Sequence, residues 1–410
     1  MKKNDYIKSI SLLAGGSAFA QLIPLLFSFL LARQYSTADI ALFGTFMAIA
    51  SPLSVIFCLR FEYALVIPEN EEEASALFRA GVLSGLLFSA LSVIALFVSL
   101  LFSLGTDSIV ICTGLVIYCI TGALSQSALF WYQRNKQFKK ITWLRIAQVS
   151  VVAIISACLG FLAMPYGLVF GYLSGSLIVY ILLILSSDLP HVNYLKRPSG
   201  TVLYKYREFP LFNLLPALLN ALTVSVPIFV VNLKFSPTDA GNFVLARQIL
   251  LAFSGTGAVV LSQWYFQRSA EIAKYNSAQL PEFFRVFFTG FFPSLVLLFV
   301  LFFFGKDLFG FLYGSQWYQA GELSWILAVS VVCHVSVYPL MNALGVIGKI
   351  KYTSLWQLVY FLLTACLCVL PAMKTSEFVW IIAGIDSICY VLLLVLVYRL
   401  LRVNDMRLSR

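Results

Sequence analysis

Residues 33–43 read "RQYSTADIALF", and residues 233–243 read "LKFSPTDAGNF". At an offset of 200, Tyr35 meets Phe235, Ser36 meets Ser236, Asp39 meets Asp239 and Phe43 meets Phe243. Each phrase reads as the start of a helix. Ser36 and Ser236 are placed to cap it. Asp39 and Asp239, three residues on, lie near its positive end, and Pro237 takes the first helical position. Three identities in eleven positions mean little alone. Their weight depends on what the intervening 200 residues do.

The 410-residue chain is 60% hydrophobic and 11% charged, with a mean hydropathy of +0.91. A soluble domain carries roughly 25% charged residues. This much apolar surface cannot all be hidden within the chain, so most of it faces lipid or other lipid-embedded helices. Only helices and closed barrels cross a bilayer, and barrel strands alternate over about ten residues. Here the apolar runs are continuous and about twenty residues long, enough to cross ~30 Å of hydrocarbon as helix. Twelve such segments are read, at roughly 10–32, 38–58, 80–103, 109–131, 146–164, 166–186, 209–232, 238–264, 284–305, 320–343, 352–372 and 378–400. The fifth and sixth are parted only by "MPYG" at 164–167. Lys2, Lys3 and Lys8 before "AFA" at 18–20 imitate a secretory leader, but the apolar run continues to Ala32 and reads as an uncleaved first span.

Twenty-three of the 28 Lys and Arg residues fall on one alternate set of connections, against Arg33, Lys234, Lys306 and Lys374 on the other. Basic residues stay inside, so both termini are expected in the cytoplasm. The net charge of +10 is then a topology signal. The basic and aromatic stretch "YQRNKQFKKITWLR" at 132–145 reads as a loop beside anionic head groups, and no nucleic-acid partner is expected. All seven tryptophans lie near span ends, as interfacial anchors would. The eight cysteines all fall in apolar segments without metal-site spacing, as small buried hydrophobes. No metal or cofactor is expected.

The offset between the two opening phrases equals six spans, so both enter the membrane in the same direction. The chain therefore reads as two parallel six-helix halves, 1–186 and 209–410, joined by a cytoplasmic linker at 187–208. Parallel repeats about an axis along the membrane normal belong to transporters, with the substrate site between the halves.

The wording beyond the repeat carries a resemblance. "YSTADIALFGTFMAIASPLSVIFCLRFEYALVIPENEEEA", with Arg60, Glu62 and Ala64 before a proline and an acidic run, resembles the first half of bacterial polysaccharide flippases. "YREFPLFNLLPALLNALTVSVPIFVV", "AGNFVLARQIL", "QRSAE", "LYGSQWYQAGELSWILA" and "GKIKYTSLWQ" are similar to that family's second half. These are the Wzx-type O-antigen translocases of the multidrug/oligosaccharidyl-lipid/polysaccharide exporter superfamily. The resemblance implies an all-α membrane protein of twelve transmembrane helices, with a V-shaped bundle of two halves around a cationic cavity. It implies outward flipping of an undecaprenyl-pyrophosphate-linked glycan in a bacterial inner membrane, for lipopolysaccharide or a similar surface polymer. Polysaccharide polymerase and chain-length proteins are implied partners, and ion-gradient coupling is implied as the driving force.

Ionisable residues at bilayer depth are costly and usually functional. Taking 1.5 Å per residue, Arg247 lies roughly 13 Å into the eighth span, Asp386 about 12 Å into the twelfth and His334 roughly 21 Å into the tenth. Gln21 and Asn220 each lie about 16 Å into the first helix of a half. Arg247 shares a stripe with Ala240, Ser254 and Ala258, which suits a cavity. Its guanidinium fork matches a phosphate. A structural pair with Asp386 and snorkelling are its other readings. Arg60, two residues from Glu62 at the cytoplasmic end of the second span, reads either as a contact for the pyrophosphate or as half of an interfacial ion pair. Substrate binding is thus assigned to Arg247, Arg60, Gln21 and Asn220, and ion coupling to Asp386 and His334. Pro24, Pro216, Pro227 and Pro339 interrupt spans and permit bending. Two alternatives stand beside the flippase: a drug/cation antiporter of the same superfamily, which would want acids facing its cavity, and a membrane glycan polymerase or ligase. The outer acids are scattered over short loops, with no nucleophile triad or nucleotide-binding loop, so an enzyme is not expected.

Overall fold

The computed structural model describes residues 22–102, 105–186, 188–190, 196–275, 277–371 and 373–408. Every regular element among them is helical, and the chain is a multi-pass membrane protein. Eleven helices are long and apolar enough to cross a bilayer; the described part of the first span, α1 (Leu22–Gln34), is shorter. With it, the twelve expected spans are each represented.

The two opening phrases behave as read. In α2 (Thr37–Ile56) the Ser36 Oγ accepts from the Asp39 N–H at 3.2 Å and Asp39 Oδ2 accepts from the Ser36 N–H at 3.0 Å, a reciprocal cap. In α10 (Pro237–Lys274) the Ser236 Oγ accepts from the Asp239 N–H at 3.1 Å, with Pro237 in the first turn. Beyond these caps the copies diverge. Tyr35 donates its hydroxyl to the Ser156 carbonyl at 2.7 Å, tying the start of α2 to α6 (Phe138–Phe161). In the second copy Asn242 accepts from the Ala320 N–H at 2.9 Å, tying α10 to α12 (Tyr318–Val337).

The chain divides into two compact units, Met1–Ser225 and Val226–Arg410. In unit 1, α2 is followed by the single turn α3 (Phe61–Ala64), then α4 (Glu71–Leu101), α5 (Gly105–Arg134), α6 and α7 (Gly167–Ile184). The "MPYG" break is real: Ala163 (φ 49°) and Tyr166 (φ 61°) turn the chain between α6 and α7. The described part of the 187–208 linker packs onto this unit. In α8 (Gly200–Lys205) the Lys205 ammonium meets Glu73 at 2.8 Å, and Tyr206 is buried while donating to the same carboxylate at 3.0 Å. A π-helical turn at Phe209–Asn213 then leads into α9 (Leu214–Lys234), and the division between the units falls within this helix.

Unit 2 contains α10, α11 (Leu280–Tyr313), α12, the single turn α13 (Asn342–Val346), α14 (Ile350–Ala365) and α15 (Thr375–Leu408). Its centre is α12, whose span is 67% buried, the most of any crossing helix described. Gly305 and Gly321 let α11 and α12 touch backbone to backbone, since a Cβ on Gly321 would strike the Gly305 carbonyl and the Lys306 Cα. In lipid, where apolar burial does not drive helices together, such close approach supplies the packing energy. Pro339 opens a 3-10 turn, Tyr338–Met341, that ends the long run of α12, as a proline at that place should.

Two sequence expectations need correction. Trp131, Trp317 and Trp356 are not interfacial anchors but core residues, at 5%, 0% and 7% exposure. Trp131 and Trp356 donate their indole N–H to the Asp188 and Cys389 carbonyls, at 3.0 and 2.7 Å. Helix-to-helix packing claimed these rings, which position along a span does not reveal. Likewise Cys58, Cys119 and Cys389 are buried, but Cys158, Cys366 and Cys368 are exposed.

Candidate functional site

In unit 2 the three ionisable residues read at mid-depth lie on three different helices. Arg247 on α10 is 7% exposed. Its stripe-mates Ala240, Ser254 and Ala258 are also buried. The helix α10 packs against α12 in this unit. The Arg247 guanidinium carbon lies 5.8 Å from the centroid of Phe243, and its Nε has no hydrogen-bond partner among the described residues. Asp386 on α15 is buried, and its Oδ1 accepts the Tyr360 hydroxyl of α14 at 2.6 Å. Arg247 lies near enough for its charge to act on Asp386, but the two form no direct ion pair. The structural pair is therefore a through-space contact.

His334 on α12 is half-buried, with its ring centroid 5.1 Å from Tyr338 and 5.3 Å from Tyr390. Its Nδ1 has no hydrogen-bond partner among the described residues. Tyr390 continues to Trp356 at 5.7 Å and to Tyr360 at 5.8 Å. An aromatic wall thus connects His334 to the hydroxyl that holds Asp386. Rings pack with their edges and faces offset at such spacings, and neutral hydroxyls of Tyr360 and Ser330 face the buried carboxylate.

In unit 1 the chain makes an unusual turn at the end of α2. Leu59 (φ 48°) and Arg60 (φ 64°) are consecutive left-handed residues, each costing about 1–2 kcal/mol. The turn swings Glu62 inward until its side chain is fully buried. There Glu62 Oε1 accepts from Gln126 Nε2 of α5 at 3.0 Å and lies 3.8 Å from Arg60 Nη1, while Oε2 has no partner among the described residues. Arg60 sits 4.9 Å over the Tyr63 ring, with its own Nε unbonded. Burial pushes the Glu62 carboxyl up to about 7, and the Arg60 charge offsets this only in part. This turn brings Arg60 and Glu62 within 3.8 Å, as the ion-pair reading of Arg60 requires. Asn220, on the part of α9 in unit 1, is exposed. Gln21 lies outside the described residues.

Three residues of these clusters escaped the reading by depth. Tyr360 and Gln126 are uncharged, so nothing about their place in a span is costly. Glu62 was seen as the neighbour of Arg60, but its burial comes from two backbone dihedrals that residue type does not encode. A carboxylate just after a span, two residues from an arginine, was the available signal.

Residues 30–322 match the profile of the family described as "Polysaccharide biosynthesis protein". No curated protein sequence matches the chain at a significant level. Among solved structures, the lipid II flippase MurJ in an inward closed conformation superposes with a TM-score of 0.74 at 15% identity, covering 97% of this chain and 90% of that one. An inward-facing multidrug resistance MATE family transporter of the MOP superfamily gives a TM-score of 0.68 at 13% identity, over 94% and 96% of the two chains. A MOP superfamily transporter from Pyrococcus furiosus gives 0.55 at 13% identity, over 98% and 95%. At these identities the likeness establishes the fold, that of the exporter superfamily to which the sequence pointed. With the profile match spanning most of its length, the chain belongs to the polysaccharide biosynthesis protein family.

Proposed function

We propose that this chain is a flippase that carries an undecaprenyl-pyrophosphate-linked oligosaccharide, such as an O-antigen unit, from the cytoplasmic to the periplasmic leaflet of a bacterial inner membrane. The family match and the fold it shares with a lipid II flippase support the class of substrate. The observation that carries the reading is Arg247. A guanidinium buried in a membrane span, with no direct ion pair and an unbonded Nε among the described residues, is costly unless an anion uses it. A diphosphate offers paired oxygens to its fork. Arg60 has the same orphaned Nε in unit 1 and is assigned the same chemistry at the cytoplasmic end. Gln21 and Asn220 remain in the proposal as polar contacts for the cargo. Transport then proceeds by alternating access between two halves, with both termini cytoplasmic. Asp386, aided by His334, takes up the coupling ion, since a gradient biases such a cycle only if an ion binds its two states differently. A polymerase and chain-length proteins receive the product. A buried arginine and the family match favour this anionic cargo over the cation of a drug antiporter.

The test is complementation of a deletion strain. Arg247→Ala should abolish surface polysaccharide at normal protein abundance, and Arg247→Lys should keep part of it, because charge survives without the fork. Normal export by Arg247→Ala would overturn the phosphate role. Loss of the protein from the membrane would instead make the arginine structural.

A further inference from the structure

Beside the Ser236 cap, one end of unit 2 opens into a cleft of ≈ 840 Å³. That is within the range of small-ligand sites, about 300–1,000 Å³. Three segments build it: the turn from α9 into α10, the start of α12 and the start of α15. All lie at the end that the Lys and Arg asymmetry assigns to the outside.

The chemistry of the walls is specific. Trp325 and Trp380 meet edge to face at 5.2 Å and 79°, and Phe302 backs Trp325 at 5.2 Å, so the indoles are braced. Trp380 is nevertheless 45% exposed. The acids of the cleft are already committed. Asp239 accepts from Ser236 and from Gln319, and Glu322 pairs with Lys306 at 2.9 Å. The cations are not neutralised in this way. Lys234 donates to the Cys368 and Leu370 carbonyls, both at 2.7 Å, which fixes the ammonium without cancelling its charge. Lys374 makes no ion pair among the described residues and is exposed. A braced aromatic platform with hydrogen-bond donors around its rim matches a sugar ring, whose C–H face packs on an indole while its hydroxyls reach outward to polar groups. A lipid phosphate alone would use a lysine and leave both indoles idle.

We propose that this cleft binds sugar residues of the transported glycan at the outer mouth of unit 2, stacked on Trp380 and Trp325 and hydrogen-bonded by Lys374. The assignment rests on the flippase reading. It adds a holding site for the carbohydrate, separate in chemistry from the arginines assigned to the pyrophosphate. Sugar held here after crossing would slow the return of the cargo.

The experiment separates the two ideas. A strain lacking the chain should accumulate a lipid-linked glycan, and failure to do so would overturn both. The glycan released from that lipid by mild acid is the probe, added to the full-length protein in nanodiscs and followed by tryptophan fluorescence. Saturable binding is expected, at least tenfold weaker in Trp380→Ala and in Lys374→Ala. Both side chains are exposed, so these variants should fold; equal melting midpoints check this. Glycerol phosphate should not displace the glycan. If the released glycan fails to bind, or binds both variants as well as wild type, the cleft is not a sugar site while the flippase reading stands. Displacement by glycerol phosphate would make it a lipid head-group site and overturn the assignment.

Discussion

Glu62→Gln tests the buried carboxyl at the end of α2. A free glutamate titrates near 4.5, whereas burial holds Glu62 at about 7 in the folded chain. Between these values the folded protein keeps a proton that the unfolded chain has released. The stability contributed by Glu62 therefore falls as pH rises from about 4.5 to about 7 and stays low above that. At about 1.4 kcal/mol for each pH unit, the gap is worth about 3 kcal/mol. A glutamine keeps an acceptor for Gln126 and never ionises, so it removes the penalty. The assay is the apparent melting midpoint of purified protein in nanodiscs at pH 5, 6.5 and 8, at one scan rate because membrane proteins unfold irreversibly. At roughly 2–4 °C for each kcal/mol, or less for so long a chain, Glu62→Gln should exceed wild type by several degrees at pH 8. The difference should shrink to about a quarter of that at pH 5. If Glu62→Gln shows the same decline with pH as wild type, Glu62 is ionised throughout and the reasoning fails.

Three further outcomes are expected. Gly321→Val should lower the yield of monodisperse protein on size-exclusion chromatography, because its side chain meets backbone on α11 and overpacking costs about 1–3 kcal/mol or more; normal behaviour would contradict the close crossing. Asp386→Asn should abolish the dependence of flipping on an imposed proton or sodium gradient in reconstituted vesicles, and unchanged dependence would remove Asp386 from coupling. Reporter fusions at 187–199 should read cytoplasmic and those at 373–376 periplasmic, and reversal at either site would refute the topology.

Much of the architecture was legible in one dimension. Twelve spans could be counted because crossing hydrocarbon demands about twenty apolar residues wherever it happens. The capped starts at Ser36 and Ser236 could be read because a cap is satisfied within four residues of chain. The family could be named because its phrases recur along nearly the whole length. What the sequence could not decide were contacts between residues far apart in it. Trp131 and Trp143 are twelve residues apart and both near span ends, yet one is 5% exposed and the other 71%. Tyr360 holds Asp386 across 26 residues, and Gln126 holds Glu62 across 64. The small residues around Arg247 are visible in the sequence, but only the fold shows that they are buried. Apolar length and helix caps are local, so the sequence alone sets them. Whether a side chain meets lipid, a neighbouring helix or a ligand depends on which helices touch, and only the folded units decide that.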